Sequence, residues 1–191
     1  MIEEFFPFGD KPRSLIETAA LIAYTAHRAQ TRKDDQSPYF IHPCMVALKL
    51  TSYHCSEEVI AAGYVHDVLE DTAFPEALLE QLLGSKIVQL VKSVSENKTL
   101  PWEERKQNYI DAVARASEAV KCLSVADKIH NLQSLLSAYA KDGSEVWKVF
   151  NRGREQKCWF EQTLCAELQK TWQHPILDEY AALVAQLERL A

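Results

Sequence analysis

The stretch that decides the fold is Ala61-Ala62-Gly63-Tyr64-Val65-His66-Asp67-Val68-Leu69-Glu70-Asp71. Its apolar residues recur at helical rather than alternating spacing, so it reads as part of a helix from Glu57 to about Asp71 with Ser56 as its cap. Ile60, Ala61, Tyr64, Val65, Val68 and Leu69 give that helix a core-like face. His66 and Glu70 are four residues apart, as are Asp67 and Asp71, which puts all four on one side. Ala62 and Gly63 lie one turn earlier on the same stripe and leave room for something to approach. A carboxylate in such a setting costs several kcal/mol unless it is paired or coordinated. This helix carries no lysine or arginine to neutralise its acids near the stripe. A bound cation is the economical explanation, and a solvated helix end is the plain one.

The same periodicity extends outward in both directions. Ser14-Leu15-Ile16-Glu17 has the form of a capping box, opening a helix expected to run to about Arg28 or Gln30. Thr31 to Phe40 reads as a polar loop, and Pro43 suits the first turn of the next helix. Downstream, Pro75 opens a helix that Gly84 ends, and Ser85 caps another through about Val94. Further helices are expected from Pro101, from Glu118 to about Tyr139, from Glu145 to about Trp172 with a break near Gly153, and from Pro175. The fold expected is all-α, one domain over residues 1–191 with about eight to ten helices.

Composition narrows the function. The 191 residues suffice for one sizeable core, and a hydrophobic fraction of 47% excludes a disordered chain. A formal net charge of -6 argues against general nucleic-acid binding, whose affinity comes from cations set on phosphates. Five cysteines with no C-x-x-C pair point to reduced thiols and a cytoplasmic setting. No apolar run approaches the ~20 residues of a membrane span, and the N-terminus lacks the pattern of a signal peptide. Leu183, Val184, Leu187 and Leu190 give the last helix an apolar face that suits internal packing or a second copy, so a homo-oligomer stays open.

A second helix, VKCLSVADKIHNLQSLL over residues 120–136, sets Asp127 among Cys122, Leu123, Val125, Ala126, Ile129 and Leu132, with Asn131 one turn on. In isolation Asp127 and Lys128 read equally well as a surface ion pair. His42 stands just before Pro43 at a helix start, where a lone histidine is commonly structural. Together these stretches offer two imidazoles and two carboxylates, a set suited to Mn²⁺, Fe²⁺ or Zn²⁺ rather than Ca²⁺.

The order His42, His66-Asp67, Asp127 resembles the H…HD…D signature of HD-domain phosphohydrolases. A closer likeness is to the hydrolase domain of Rel/Spo-type alarmone enzymes. It rests on His27-Arg28-x-Gln30-x-Arg32-Lys33-Asp34, Ser37-Pro38-Tyr39-x-x-His42-Pro43, His66-Asp67-x-x-Glu70-Asp71-Thr72, Asn97-Lys98-Thr99-Leu100-Pro101 and Ala126-Asp127-Lys128-x-x-Asn131-Leu132. It spans about residues 15–165. The chain has no room for the synthetase and regulatory domains of the long enzymes, so the resemblance is to a stand-alone small alarmone hydrolase.

That resemblance implies an HD-type helical bundle that removes 3′-pyrophosphate from (p)ppGpp-like nucleotides with Mn²⁺. It implies metal ligands at His42, His66, Asp67 and Asp127, and a catalytic pair at Glu70 and Asp71. It places Arg28 at the nucleobase, Asn131 near ribose or phosphate, and Lys33 and Lys98 near substrate, with Arg152, Arg154 and Lys157 as phosphate contacts. Glu70 is expected to align the water and Asp71 to share proton transfer. The partner expected is a small nucleotide, with neither nucleic acid nor membrane. The same core would serve a (p)ppApp hydrolase, a 2′/3′-phosphatase on a cofactor such as NADPH, or a nucleotide sensor without turnover.

Overall fold

The computed structural model describes residues 2–9, 13–32, 36–149 and 152–190. In chain order the helices are α1 (Ile2–Phe5), α2 (Leu15–Ala26), α3 (Ile41–Ser52), α4 (Glu57–Val65), α5 (Val68–Asp71), α6 (Glu76–Leu83), α7 (Ser85–Val94), α8 (Trp102–Arg115) and α9 (Glu118–Asp142). A 3₁₀ segment (Gly143–Val149), α10 (Gly153–Thr171) and α11 (Pro175–Glu188) follow. Nine of the α-helices among the described residues run for two turns or more, within the expected number. Among the described residues there is no strand; Thr31 and Pro38 form a lone bridge across the loop before α3.

The helix ends follow local chemistry. Ser14 Oγ accepts the Glu17 N–H at 3.1 Å and starts α2. Pro175 opens α11, where the His174 ring accepts the Ile176 N–H at 3.2 Å. Gly84 (φ 86°) turns the chain from α6 into α7, taking the cap position that Ser85 was expected to hold. Helix α2 stops at Ala26, a turn earlier than its periodicity suggests, with His27 as its cap.

Two helices carry the architecture. Helix α4 packs against α2, α3, α7 and α9, and Val59, Ile60, Ala61, Ala62, Gly63 and Val65 are all buried. Helix α9, 25 residues long, packs against α3, α4, α7, α8 and α11, which encloses Asp127 and Lys128 along with its apolar residues. The room left by Gly63 is taken by α3: a Cβ there would meet Leu50 Cδ1 at 2.7 Å and the Ala47 backbone at 3.3 Å. The small residues thus admit a neighbouring helix rather than a ligand. At the other end of the chain, Glu179 on α11 accepts from Lys49 on α3 (2.7 Å) and from Tyr53, which caps α3 (2.6 Å), tying the last helix to the centre.

The helix expected over Glu57–Asp71 is interrupted. Its regular hydrogen bonding stops at Val65, passes through a turn at His66-Asp67, and resumes in α5. Neighbours on a continuous helix point about 100° apart; Asp67 at φ −95°, ψ −6° departs from helical values, and the pair converges.

Candidate metal centre

Two helices and the turn between two others bring four polar side chains together. His42 comes from the first turn of α3, His66-Asp67 from the turn between α4 and α5, and Asp127 from the middle of α9. His42 Nε2 lies 3.2 Å from His66 Nε2, 3.5 Å from Asp67 Oδ2 and 3.1 Å from Asp127 Oδ1. His66 Nε2 lies 3.2 Å from Asp67 Oδ2 and 3.7 Å from Asp127 Oδ1. Donors each about 2.1 Å from one ion are separated by about 3.0 Å along an octahedral edge or 3.4 Å along a tetrahedral one. The spacings among His42, His66 and Asp67 fall around these values, so these three donors fit a single divalent cation. His42, His66 and Asp67 offer donor atoms within 4.8 Å of one another, and Asp127 joins through the two imidazoles.

The backing groups leave the inward nitrogens usable. His66 Nδ1 donates to the Gly63 carbonyl at 2.9 Å, so in the neutral ring Nε2 keeps its lone pair. His42 Nδ1 lies 2.7 Å from His130 Nδ1. The Tyr39 hydroxyl donates to Asp67 Oδ2 at 2.6 Å, and its ring lies 4.8 Å from that of His27. Asn131 Nδ2 donates to Asp127 Oδ1 at 2.6 Å. Lys128 holds Asp127 Oδ2 at 2.7 Å, its ammonium 4.8 Å from the Tyr109 ring and 5.6 Å from that of Phe160. Both partners are buried, so this is not the surface pair that isolated sequence permits.

Burial alone would lower the His66 pKa, yet the Asp67 and Asp127 carboxylates outweigh it and raise it well above the usual imidazole value. Burial would likewise raise both acids. His66 and His42 instead hold Asp67 far below the carboxylate range, and Lys128 with the same imidazoles does so for Asp127. Positive charge on His66 and Lys128 therefore faces the two carboxylates beside the position a cation would take.

The expected catalytic pair lies on α5, one turn beyond the ligands. Glu70 Oε2 accepts the Glu96 N–H at 3.1 Å, while Lys98 Nζ lies 3.3 Å from Glu70 Oε1 and 2.5 Å from Asp71 Oδ1. Gln30 donates to the Asp71 carbonyl at 2.7 Å and faces His27 Nδ1 at the same distance. Gln30, Glu70, Asp71, Thr72 and Lys98 line an open cleft of roughly 670 Å³.

The remaining expectations divide. Lys98 and Asn131 sit against the acidic pair and Asp127 respectively, and Arg32 Nη1 reaches Asn131 Oδ1 at 3.5 Å. Arg28 is exposed just past α2, with its guanidinium outside these hydrogen bonds. Lys33 lies outside the described residues. Arg152 pairs with Glu103 at 3.6 Å, Arg154 donates to the Leu190 carbonyl at 2.5 Å, and Lys157 pairs with buried Glu161. The Arg152 and Arg154 contacts tie the start of α10 to α8 and to the chain just past α11, the Lys157–Glu161 pair lies within α10, and none of the three joins the site. Tyr39, Lys128 and His130 escaped the sequence reading as site residues, since a tyrosine in a loop or a lysine beside an aspartate carries no spacing signal.

Residues 19–156 match the family model described as an HD domain. Among curated relatives, the guanosine-3′,5′-bis(diphosphate) 3′-pyrophosphohydrolases MESH1 of Mus musculus and Homo sapiens are each 35% identical over 130 residues, covering 66% of this chain and 72% of the relative. A GTP pyrophosphokinase rsh of Brucella melitensis is 35% identical over 132 residues, 66% of this chain but 18% of its own. Of solved structures, lmo0812 from Listeria monocytogenes aligns with TM-score 0.72 and 38% identity over 78% of this chain and 97% of that one. A metazoan orthologue of SpoT, described as hydrolysing ppGpp, aligns with TM-score 0.76 and 26% identity over 96% and 100%.

Proposed function

The chain belongs to the HD-domain family, and from that premise we propose that it is a metal-dependent hydrolase removing the 3′-pyrophosphate of (p)ppGpp-like nucleotides. The observation that carries the proposal is the convergence of His42, His66, Asp67 and Asp127 within 3.1–3.7 Å contacts beside an acidic pair one turn away. These four side chains hold the cation, and the mixed imidazole and carboxylate set suits Mn²⁺, with Fe²⁺ and Zn²⁺ as alternatives. When bound, the ion supplies charge neutralisation at the phosphoryl oxygens and makes water a better nucleophile.

The chain's own groups do the rest. Tyr39 and Lys128 fix one oxygen of each ligand carboxylate, and Asp127 presents its other oxygen to the imidazoles. Glu70, held by the Glu96 amide, aligns the attacking water; Asp71 takes the proton that water loses as its oxygen bonds to phosphorus, and passes it to the ribose oxygen that leaves as the P–O bond breaks. Lys98 pairs with both acids and sits where phosphate charge arrives. Arg28, Lys33, Asn131 and Arg152 remain proposed substrate contacts, Arg152 requiring a change of partner from Glu103. We place this chemistry in one domain of a cytoplasmic protein whose partner is a small nucleotide, and neither nucleic acid nor membrane. No described helix is long and apolar enough to cross a membrane.

A nucleotide panel with Mn²⁺, containing ppGpp, pppGpp, ppApp and NADPH and scoring pyrophosphate and phosphate separately, tests the proposal. Pyrophosphate released from ppGpp or pppGpp supports it. Release only from ppApp, or phosphate alone from NADPH, moves the substrate assignment. Binding without turnover of any member contradicts hydrolysis.

A further inference from the structure

The His42–His130 contact has a chemical consequence for the proposed centre. For His42 to offer Nε2 as a donor, its neutral ring must carry the proton on Nδ1, and that N–H needs an acceptor. His130 Nδ1 sits 2.7 Å away, with ring centroids 4.9 Å apart and planes at 42°. On the opposite side, His42 Nε2 faces Asp127 Oδ1 at 3.1 Å and Asp67 Oδ2 at 3.5 Å. Those carboxylates attract a proton to Nε2. Without an acceptor behind the ring, the neutral tautomer that satisfies them is Nε2–H, which cannot ligate a cation. Histidine 42 is 1% exposed, so water does not substitute for the missing acceptor.

We propose that His130 is a positioning residue that selects the ligating tautomer of His42 by accepting its Nδ1 proton. His130 belongs to α9, the helix that carries Asp127, three residues further along. The α9 backbone therefore delivers one ligand and, nearly one turn later, the group that orients another. His130 also lines a second cleft, of roughly 380 Å³, with Met45, Gln133 and Ser134. Its half-buried place at that cleft makes substitution there milder for the fold than in the core.

This inference rests on the metal reading above and is tested with Mn²⁺ alone, so the identity of the nucleotide does not enter. Mn²⁺ dissociation constants are measured for wild type, His130→Phe and His130→Gln, alongside ¹⁵N chemical shifts of the His42 ring and thermal midpoints of the metal-free proteins. Phenylalanine keeps the ring and removes the acceptor; affinity should fall about 10–100-fold, the range for losing an outer partner of a metal ligand. The His42 shifts should move toward the Nε2–H tautomer, and glutamine, whose carbonyl accepts, should recover much of the affinity. If His130→Phe binds Mn²⁺ as wild type does, or His42 keeps its Nδ1 proton in that variant, the inference is wrong. A variant that binds weakly only in proportion to its lost thermal stability, with unchanged His42 shifts, assigns His130 a structural role and also overturns it. Wild type binding no divalent ion would remove the metal reading, and this inference with it.

Discussion

Replacing Lys128 with methionine separates a buried ion pair from a decorative one. The ammonium lies 2.7 Å from Asp127 Oδ2, and the two side chains are only 11% and 13% exposed. Removing one partner of such a pair costs about 3–5 kcal/mol, because the other charge stays buried without it. Asn131 at 2.6 Å and the His42 ring at 3.1 Å still face Asp127, which puts the loss near the lower end, about 3 kcal/mol. A domain of this size shifts by about 2–4 °C per kcal/mol, so the thermal midpoint should drop by about 6–12 °C. The assay is chemical and thermal unfolding of chelator-treated protein followed by far-ultraviolet circular dichroism. A loss below about 1 kcal/mol is what an exposed pair gives, and would refute the enclosed geometry argued for Asp127.

Other perturbations probe separate parts of the site and its frame. Asp127→Ala should abolish both Mn²⁺ binding and turnover in parallel titrations; retention of both would remove it from the ligand set. Glu70→Gln should leave the Mn²⁺ dissociation constant unchanged while turnover falls about 10²–10⁴-fold, and an unaltered rate would dismiss its role with water. Gly63→Ala forces a methyl group onto Leu50 and the α3 backbone, so denaturant titration should show a loss of about 1–3 kcal/mol. For pH, the depressed pKa values of Asp67 and Asp127 contribute stability that is present above about pH 4 and lost as pH falls through their folded values. His66 acts in the opposite sense: its contribution is full below about pH 6.5 and lost as pH rises through its raised value. Since a cation needs the His66 nitrogen unprotonated, binding releases a proton, and Mn²⁺ affinity measured by calorimetry should strengthen as pH rises.

The fold was legible because helical periodicity and end signals agree along this chain. Ser14, Pro101 and Pro175 mark starts that the structure keeps, within a residue, and Gly84 marks a stop, while α9 runs to Asp142, past the end expected near Tyr139. What periodicity could not show was the interruption at His66-Asp67. Apolar residues continue at helical spacing across it, and the turn exists because tertiary convergence of the donors overrides a local preference. His66, Asp67 and Asp127 stood out as candidate donors by their place among apolar neighbours, whereas His42 alone read as structural and gained weight from the resemblance. Their supports were not: Tyr39 reaches Asp67 across 28 residues of sequence and His130 reaches His42 across 88, distances over which spacing carries no information. The cationic C-terminal segment shows a related limit of composition. Arg154 and Lys157 have the composition of phosphate contacts, yet packing turns them toward the Leu190 carbonyl and Glu161.

In the proposed centre, four side chains from α3, the α4–α5 turn and α9 share one ion. Anomalous diffraction from crystals grown with Mn²⁺ measures this directly. The expected result is a single manganese peak within about 2.0–2.3 Å of His42 Nε2, His66 Nε2, an Asp67 oxygen and Asp127 Oδ1. A peak ligated elsewhere, or one that leaves Asp127 or His42 out of its coordination, would contradict it.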